Sequence, residues 1–418
     1  MSTDLPLVPL AELATVNPPV STGHLEPDNI VSFIPMTDVT ETGHWVRPQV
    51  RKLREVRNGY TPFQEGDVLF AKITPCMENG KGAHAVDLVN KVGFGTTEFH
   101  VLRTKLFTDA RFIYHWLQSE ELRLRAKAMM TGSAGQQRVP TEFFEHFKVP
   151  FLPLVEQHRI AEILDTLDIQ IQETERLIDK LKQQKIGILH GLLTRGIDEY
   201  GELRDPVAHP EQFKDSVLGR IPREWEIDEL SSVCNRITDG CHQSVITSQD
   251  GVPFLFVSCI RDGQIRWDQA ANVTKDVYRQ ISKGREPRVG LILYTVVGSY
   301  GHAALVEDER LFSFQRHIAY ILPNVARVIP RFLVGWLNSY MCRSYADTVA
   351  LGNAQKTVTL GQLVHFPVPS PTLTEQHRIA IALQDHDTLT HTEETHLSKL
   401  KQIKKGLMHD LLTGRVRV

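Results

Sequence analysis

Two stretches of the chain crowd cations. Arg47, Arg51, Lys52, Arg54 and Arg57 lie in one short segment, and Lys275, Arg279, Lys283, Arg285 and Arg288 in another. Clusters of this kind neutralise phosphates while a few other side chains read base edges. Two glycine-bearing turns offer such readers: Gln136, Gln137 and Arg138 in 132–138, and Asn353, Gln355 and Lys356 in 352–356. An amide side chain pairs bidentately with adenine, and Arg or Lys with guanine. Lys72 adds a cation at the end of the run GDVLFAK (66–72). The bland alternative for each cluster is a solvated face, and for each turn a plain connection to the helix that follows. Recurrence of the clusters at similar places in both halves of the chain favours DNA.

Catalytic signatures are weaker. Asn17-Pro18-Pro19-Val20 is similar to the NPPY/F tetrapeptide of N6-adenine methyltransferases, in which an aromatic fourth residue stacks a flipped base. Val20 cannot stack in that way and no glycine-rich strand–turn–helix precedes it, so the segment reads as a proline-rich turn. Gly93-Phe94-Gly95 and Gly298-Ser299-Tyr300-Gly301 lack phosphate-loop spacing, and neither GxxxxGK[ST] nor HExxH occurs. Asp67 and Lys72 resemble part of a nuclease site, but the acidic residue two places before the lysine is absent. His158 and His377 occupy matching positions and read as capping or packing residues. Five cysteines without a CxxC pair point away from a disulfide framework or zinc ribbon and toward a reducing cytoplasm. Forty-seven basic against 50 acidic residues exclude a uniformly basic coat, so any nucleic-acid face is local. No apolar run approaches the ~20 residues of a membrane helix, and the N-terminus lacks the basic start of a secretory signal.

What positions these residues is a repeat. EQHRIA occurs at 156–161 and again at 375–380, and at this offset 19 of the 40 positions from Glu156 to Arg195 are identical. KLKQQKIGILHGLLT (180–194) faces KLKQIKKGLMHDLLT (399–413). Upstream the match weakens: ARFIYHWLQS (110–119) faces PRFLVGWLNS (330–339), and GKGAHAVD (80–87) faces YGHAALVED (300–308). Internal periods of this kind decide architecture. The copies run over 1–195 and 222–418. Short β-branched runs cut by turns (30–34, 67–73 and 99–102, then 254–260, 291–297 and 318–322) predict strands. Apolar spacing predicts one helix over 110–130 and its counterpart from about Arg331. The fold class is mixed α/β, with two globular domains.

Each copy then changes period. Steps of four and three from Ile160 reach Leu164, Leu167, Ile171, Ile178 and Leu181, a coiled-coil seam. The second copy gives Ile379, Leu383, Leu397, Leu400, Leu407 and Leu411, with a polar middle at His386, Thr390 and Glu393. A helix over 155–193 spans ~57 Å at ~1.5 Å per residue, too long for one domain's flank, so the two helices are expected to pair. The segment 196–222, rich in charge, proline and glycine, reads as a solvated linker. It needs to cover little distance if the helices are antiparallel. Ile163, Leu177 and Leu189, outside the seam, are candidate partner contacts.

Two variable domains, each ending in EQHRIA and a helix closing in KLK…G…H…LLT, resemble the specificity subunit of type I restriction–modification systems. GDVLFAK, the turn before each helix and IPREWE (221–226) agree with that resemblance. It implies target-recognition domains over 1–153 and 222–372, spacer helices over 154–195 and 373–418, and a linker over 196–221. It further implies that each domain reads one half of a bipartite site on double-stranded DNA. Two modification subunits and restriction/translocase subunits would dock on this chain and carry S-adenosylmethionine, ATP and Mg, with no cofactor, metal or catalytic residue here. Two rivals remain. One is a self-contained adenine-N6 methyltransferase, which lacks its cofactor motif. The other is a coiled-coil scaffold or antagonist that has lost DNA reading, against which both intact basic clusters argue.

Overall fold

The computed structural model describes residues 5–43, 45, 49–133, 135–261, 263–352 and 356–418. The chain divides into two compact units, Met1–Glu175 with Thr395–Val418, and Arg176–Glu394. The division falls inside both long helices, Leu154–Arg195 and Leu373–Leu412. Each unit therefore holds one α/β domain, the first half of the helix that follows it, and the last half of the other helix.

Within each unit the two half-helices run antiparallel. In the first, Ile160 and Leu164 share a core with Leu411 and Leu412, Asp168 pairs with Lys404, and Glu175 lies 2.7 Å from Lys401. In the second, Leu192 and Leu193 share a core with Ile379 and Leu383, and Lys182–Glu394 and Lys185–Asp387 pair at 2.8 and 2.5 Å. Rising numbers on one helix meet falling numbers on the other. Ile171, Ile178, Leu181 and Leu400 are also buried, and Leu167, Leu397 and Leu407 are half-buried. The polar middle does not break the second helix: His386, Thr390 and Glu393 are half-buried in an unbroken run. Charge pairs such as Lys185–Asp387 replace apolar contact there. Toward the end of the first helix Leu189 turns to the second unit's core and Ile188 is exposed, as expected when a ~3.6-residue turn drifts against a seven-residue repeat. Ile163 likewise packs on the first unit's core. Of the three apolar positions expected to face partners, Leu177 is the exposed one.

The EQHRIA repeat has a physical explanation in each unit. Gln157 and Gln376 are buried and tie helix to domain. Their Oε1 atoms accept the backbone N–H of Asp109 (2.9 Å) and Ile329 (2.8 Å), at the start of a domain helix. Their Nε2 atoms donate to the carbonyls of Leu152 and Phe107, and of Pro371 and Arg327. Glu156 accepts both Nε and Nη2 of Arg417. Glu375 accepts Arg204 Nη1 at 2.5 Å, the Ile197 N–H at 2.9 Å and Trp225 Nε1 at 3.1 Å. Each buried glutamate is thus clasped by an arginine beyond the C-terminal end of the other long helix. Gly196, at φ +67°, belongs to this clasp, because a Cβ there would lie 2.2 Å from Glu375 Oε1. Ile160 and Ala161, and Ile379 and Ala380, complete the motif as buried seam residues.

The domains repeat in their sheets as well. A four-stranded antiparallel sheet in the first unit orders Ala14–Val16, Phe99–Thr104, Val68–Ala71 and Gly82–His84. The second unit orders Cys234–Asp239, Ile318–Pro323, Ile292–Thr295 and Ala303–Leu305 in the same way. A second sheet places Ile30–Ile34 between antiparallel Gln49–Lys52 and parallel Val92–Gly95, with Thr61–Gln64 beyond. Its counterpart places Val252–Leu255 between Ala271–Val273 and Ser313–Phe314 with the same senses.

Two expectations are corrected. The single helix over 110–130 is two, Ala110–Gln118 and Glu120–Ala128, because Ser119 turns the chain and caps the second, its Oγ accepting the Leu122 N–H. Ser339 does the same between Pro330–Leu337 and Tyr340–Val349. The segment 196–222 is not simply solvated. It forms the hairpin Phe213–Ser216 with Gly219–Pro222 and buries Ile197, Phe213 and Ile221 on the second unit.

The clasp makes two measurable statements. Arg204→Ala leaves the carboxylate of Glu375 buried with only neutral donors, and should destabilise the second unit by about 3 kcal/mol in denaturant unfolding. In the first unit the hydrogen bonds from Arg417 hold the Glu156 carboxyl below the ordinary glutamate value of 4.5. A depressed folded-state pKa contributes stability that is present above the unfolded value and lost as pH falls through the folded one. Arg417→Ala should therefore lower the unfolding midpoint at neutral pH, and the gap from the parent protein should close on acidification below about pH 4.5.

Candidate nucleic-acid interface

The cations of the first basic stretch sit on and after the edge strand Gln49–Lys52. Arg51 is exposed, its guanidinium 5.1 Å from the centre of the Phe33 ring. Lys52 Nζ and Arg54 Nη1 both lie 3.1 Å from Asp28 Oδ1. The hydrogen bond from Lys52, then the charge of Arg54, hold the Asp28 carboxyl below its ordinary range. Asp28 and Arg54 are exposed and Lys52 is half-buried, and such surface pairs exchange readily for another anion. Arg57 is exposed, and Arg47 lies outside the described residues. In the second unit the stretch follows the equivalent edge strand, Ala271–Val273. Lys275 and Arg279 ride on the helix Lys275–Ile281, with Arg279 Nη1 2.9 Å from Asp276. Lys283 and Arg288 are exposed, while Arg285 is half-buried with its Nε facing no partner among the described residues. The two clusters thus occupy matching places.

The turn residues gather elsewhere, at one end of the first sheet. In the first unit the turn 132–138 folds back on the segment after Val68–Ala71. The Thr74 N–H donates to Gln137 O (3.0 Å), the Val139 N–H to Lys72 O (2.9 Å) and the Lys72 N–H to Glu98 O (2.9 Å). This brings Lys72, Gln136, Gln137 and Arg138 together, with Gln136 and Arg138 exposed. Arg138 is not free: Nε and Nη2 bind Glu98 at 2.9 and 2.8 Å, and Nη1 donates to Gln136 O at 3.1 Å. Those hydrogen bonds hold the Glu98 carboxyl below its ordinary range against the opposing effect of burial. No hydrogen bond or ion pair among the described residues joins this group to the edge-strand cations.

The second unit builds the same loop cluster with other side chains. The Gly298 N–H donates to Lys356 O (3.0 Å), the Val358 N–H to Val296 O (2.9 Å) and the Val296 N–H to His317 O (2.9 Å). His317 therefore stands where Glu98 stands. Lys356 is exposed, and Asn353 and Gln355 lie outside the described residues. Beside His317, the exposed Arg316 donates Nε to His317 Nε2 at 3.4 Å. Burial first, then the charge of Arg316, keep His317 below its ordinary pKa, so the neutral ring accepts that bond. Arg316 has no carboxylate partner among the described residues. Its backbone N–H is held by Cys241 O at 2.9 Å, in a turn where a Cβ on Gly240 would lie 2.3 Å from Phe314 O.

Sequence reading missed Glu98, Arg316, His317 and the two aspartates. Aligning strand Phe99–Thr104 with Ile318–Pro323 would have put Glu98 opposite His317, and Asp276 sits one helical turn from Arg279. The proline-rich turn is held against the strand Phe99–Thr104, where Arg103 Nη1 donates to Pro19 O at 3.0 Å. Asn17, at φ +51°, is engaged by His100 Nδ1 at 3.1 Å and the Val101 N–H at 3.0 Å. His158 pairs with Asp109, the cap of the helix Ala110–Gln118. Among the described residues no group of three His, Cys, Asp or Glu is arranged to hold a metal, and no helix is long and apolar enough to cross a membrane.

Comparison with known proteins matches residues 9–183 and 222–402 to the type I restriction modification DNA specificity domain. The chain is 34% identical over 234 residues to the type I restriction enzyme EcoAI specificity subunit of Escherichia coli, covering 55% of this chain and 35% of that one. The match thus spans about a third of that relative's length. It is 24% identical over 372 residues to the MjaVIII specificity subunit of Methanocaldococcus jannaschii, covering 88% of this chain and 83% of that one. The type I restriction–modification S subunit from M. genitalium is similar in fold, with a TM-score of 0.55 at 14% identity over 99% of this chain and 97% of that chain. With both copies of the repeat matched over most of their length, the chain belongs to the type I restriction modification DNA specificity domain family.

Proposed function

We propose that this chain is the DNA specificity subunit of a type I restriction–modification complex in the cytoplasm. The domains over 1–153 and 222–372 each read one half of a bipartite, asymmetric site on double-stranded DNA. The spacer helices, 154–195 and 373–418, dock two modification subunits, and restriction/translocase subunits join them. S-adenosylmethionine, ATP and Mg sit on those partners, and no residue here is catalytic. The observation that carries the reading is the pairing of one scaffold with unlike loops. Both units share sheet order and strand sense, yet Glu98 and its partner Arg138 in one give way to His317 and Thr357 in the other, where Arg316 stands in place of Thr97. An asymmetric two-part site needs that combination. Leu177, exposed on the first long helix, remains a candidate partner contact.

Replacing residues 1–153 by the corresponding domain of another family member should change one half of the methylated sequence and leave the other intact. Methylation mapping on the partner-reconstituted complex reads this directly; a change in both halves, or in neither, contradicts the two-reader assignment.

Edge-strand cations should act as phosphate contacts. Arg51→Ala or Lys283→Ala should weaken binding to every sequence alike and reduce the salt slope by about 1. Asp28→Asn releases Lys52 and Arg54, so it should tighten binding and steepen the slope. Titrations over a range of salt concentrations test both directions.

A further inference from the structure

The two loop clusters differ most in the state of their arginines. In the first unit the guanidinium of Arg138 is occupied by Glu98 on Nε and Nη2 and by Gln136 O on Nη1. In the second unit Arg316 spends only Nε, on the neutral ring of His317. Both terminal nitrogens remain uncommitted among the described residues, and no carboxylate offsets the charge. The backbone that carries Arg316 is fixed, and the contact with His317 directs its side chain. The backbone N–H of Arg316 is bonded to Cys241 O, and its neighbours on either side are fixed by Gln315 N–H to Leu255 O at 3.1 Å and Val296 N–H to His317 O at 2.9 Å. Gly240 permits this close packing of the two turns, its Cα side facing the carbonyls of Phe314 and Gln315. An exposed fork of two N–H donors with no acceptor matches one base edge in the major groove best. Guanine presents O6 and N7 together, whereas adenine and cytosine each present a donor that would face the guanidinium, and thymine presents one acceptor beside a methyl group.

We propose that Arg316, oriented by His317, is a specificity-determining residue of the second domain and reads a guanine in its half-site. The assignment rests on the recognition function above and adds the base and the residue. In the first unit the corresponding residue is Thr97, beside a neutralised Glu98–Arg138 pair, so the two half-sites differ at this position.

The test uses the complete complex with its modification subunits, and a panel of duplexes carrying each single-base change in both half-sites. Arg316→Ala should lower discrimination at one guanine of the second half-site by about 5- to 150-fold, the equivalent of one bidentate contact. Preference in the half-site read by the first domain should be unchanged. Arg316→Lys should retain part of the discrimination, because a lysine also reaches guanine acceptors but lacks the fixed fork. Arg316 is exposed, so neither variant should unfold the domain, and unchanged unfolding midpoints check that. Uniform weakening on all sequences, with a shallower salt slope and full rescue by lysine, would make Arg316 a phosphate contact and overturn the proposal. So would unaltered binding by Arg316→Ala. A parent complex with no sequence preference at all would overturn the recognition function itself, a result distinct from either.

Discussion

A buried glutamate opens each long helix, and neither Glu156 nor Glu375 is neutralised by its own copy of the repeat. The arginine that binds Glu156 is 261 residues away and the one that binds Glu375 is 171 residues away. Leaving a carboxylate out of water without a partner is costly, and removing one member of a buried pair costs more than the pair contributes. Each unit is therefore complete only when the tail of the other helix is in place. The antiparallel order of the half-helices within each unit meets that requirement. Beside each glutamate, the buried glutamine fixes the helix to its domain through the N–H of the residue that precedes a domain helix. One hexapeptide thus sets both the helix pairing and the docking of domain on helix.

With the helices and their domains fixed in this way, the loops at the end of the first sheet are free to vary. Backbone hydrogen bonds hold the cluster in both units: the turn before each domain's last strand binds the segment after a central strand, which in turn binds the loop carrying Glu98 or His317. Main-chain bonds of this kind do not depend on side-chain identity. Substitution there changes what is presented to a ligand without disturbing the fold, a combination suited to a protein whose role is recognition.

Much of this was legible in the sequence, for identifiable reasons. The long helices were readable because a seven-residue period sustained over many turns has few other solutions, and the repeat because EQHRIA is tied to its place by three different interactions. Strand positions were readable from β-branched runs. Their order was not, since it depends on pairings between residues far apart, such as Val68 with Leu102. The break at Ser119 was hidden because the helices on either side of it continue the apolar spacing, while the cap is a local hydrogen bond that periodicity does not register. The hairpin in 196–222 was hidden by its composition, since charge, proline and glycine describe a tight turn as well as a linker. Arg316 and Glu98 lie outside both basic stretches and stand out only when the two sheets are superposed. Arg47, Asn353 and Gln355 lie outside the described residues.

One scaffold used twice with unlike loops has a direct consequence for the DNA sequence it selects. Mapping every methylated position in DNA exposed to the reconstituted complex measures that sequence without assuming it. The expected result is a motif of two unlike half-sites separated by a stretch of fixed length and unrestricted sequence. A single contiguous motif, or two identical half-sites, would contradict the assignment of one reader to each unit.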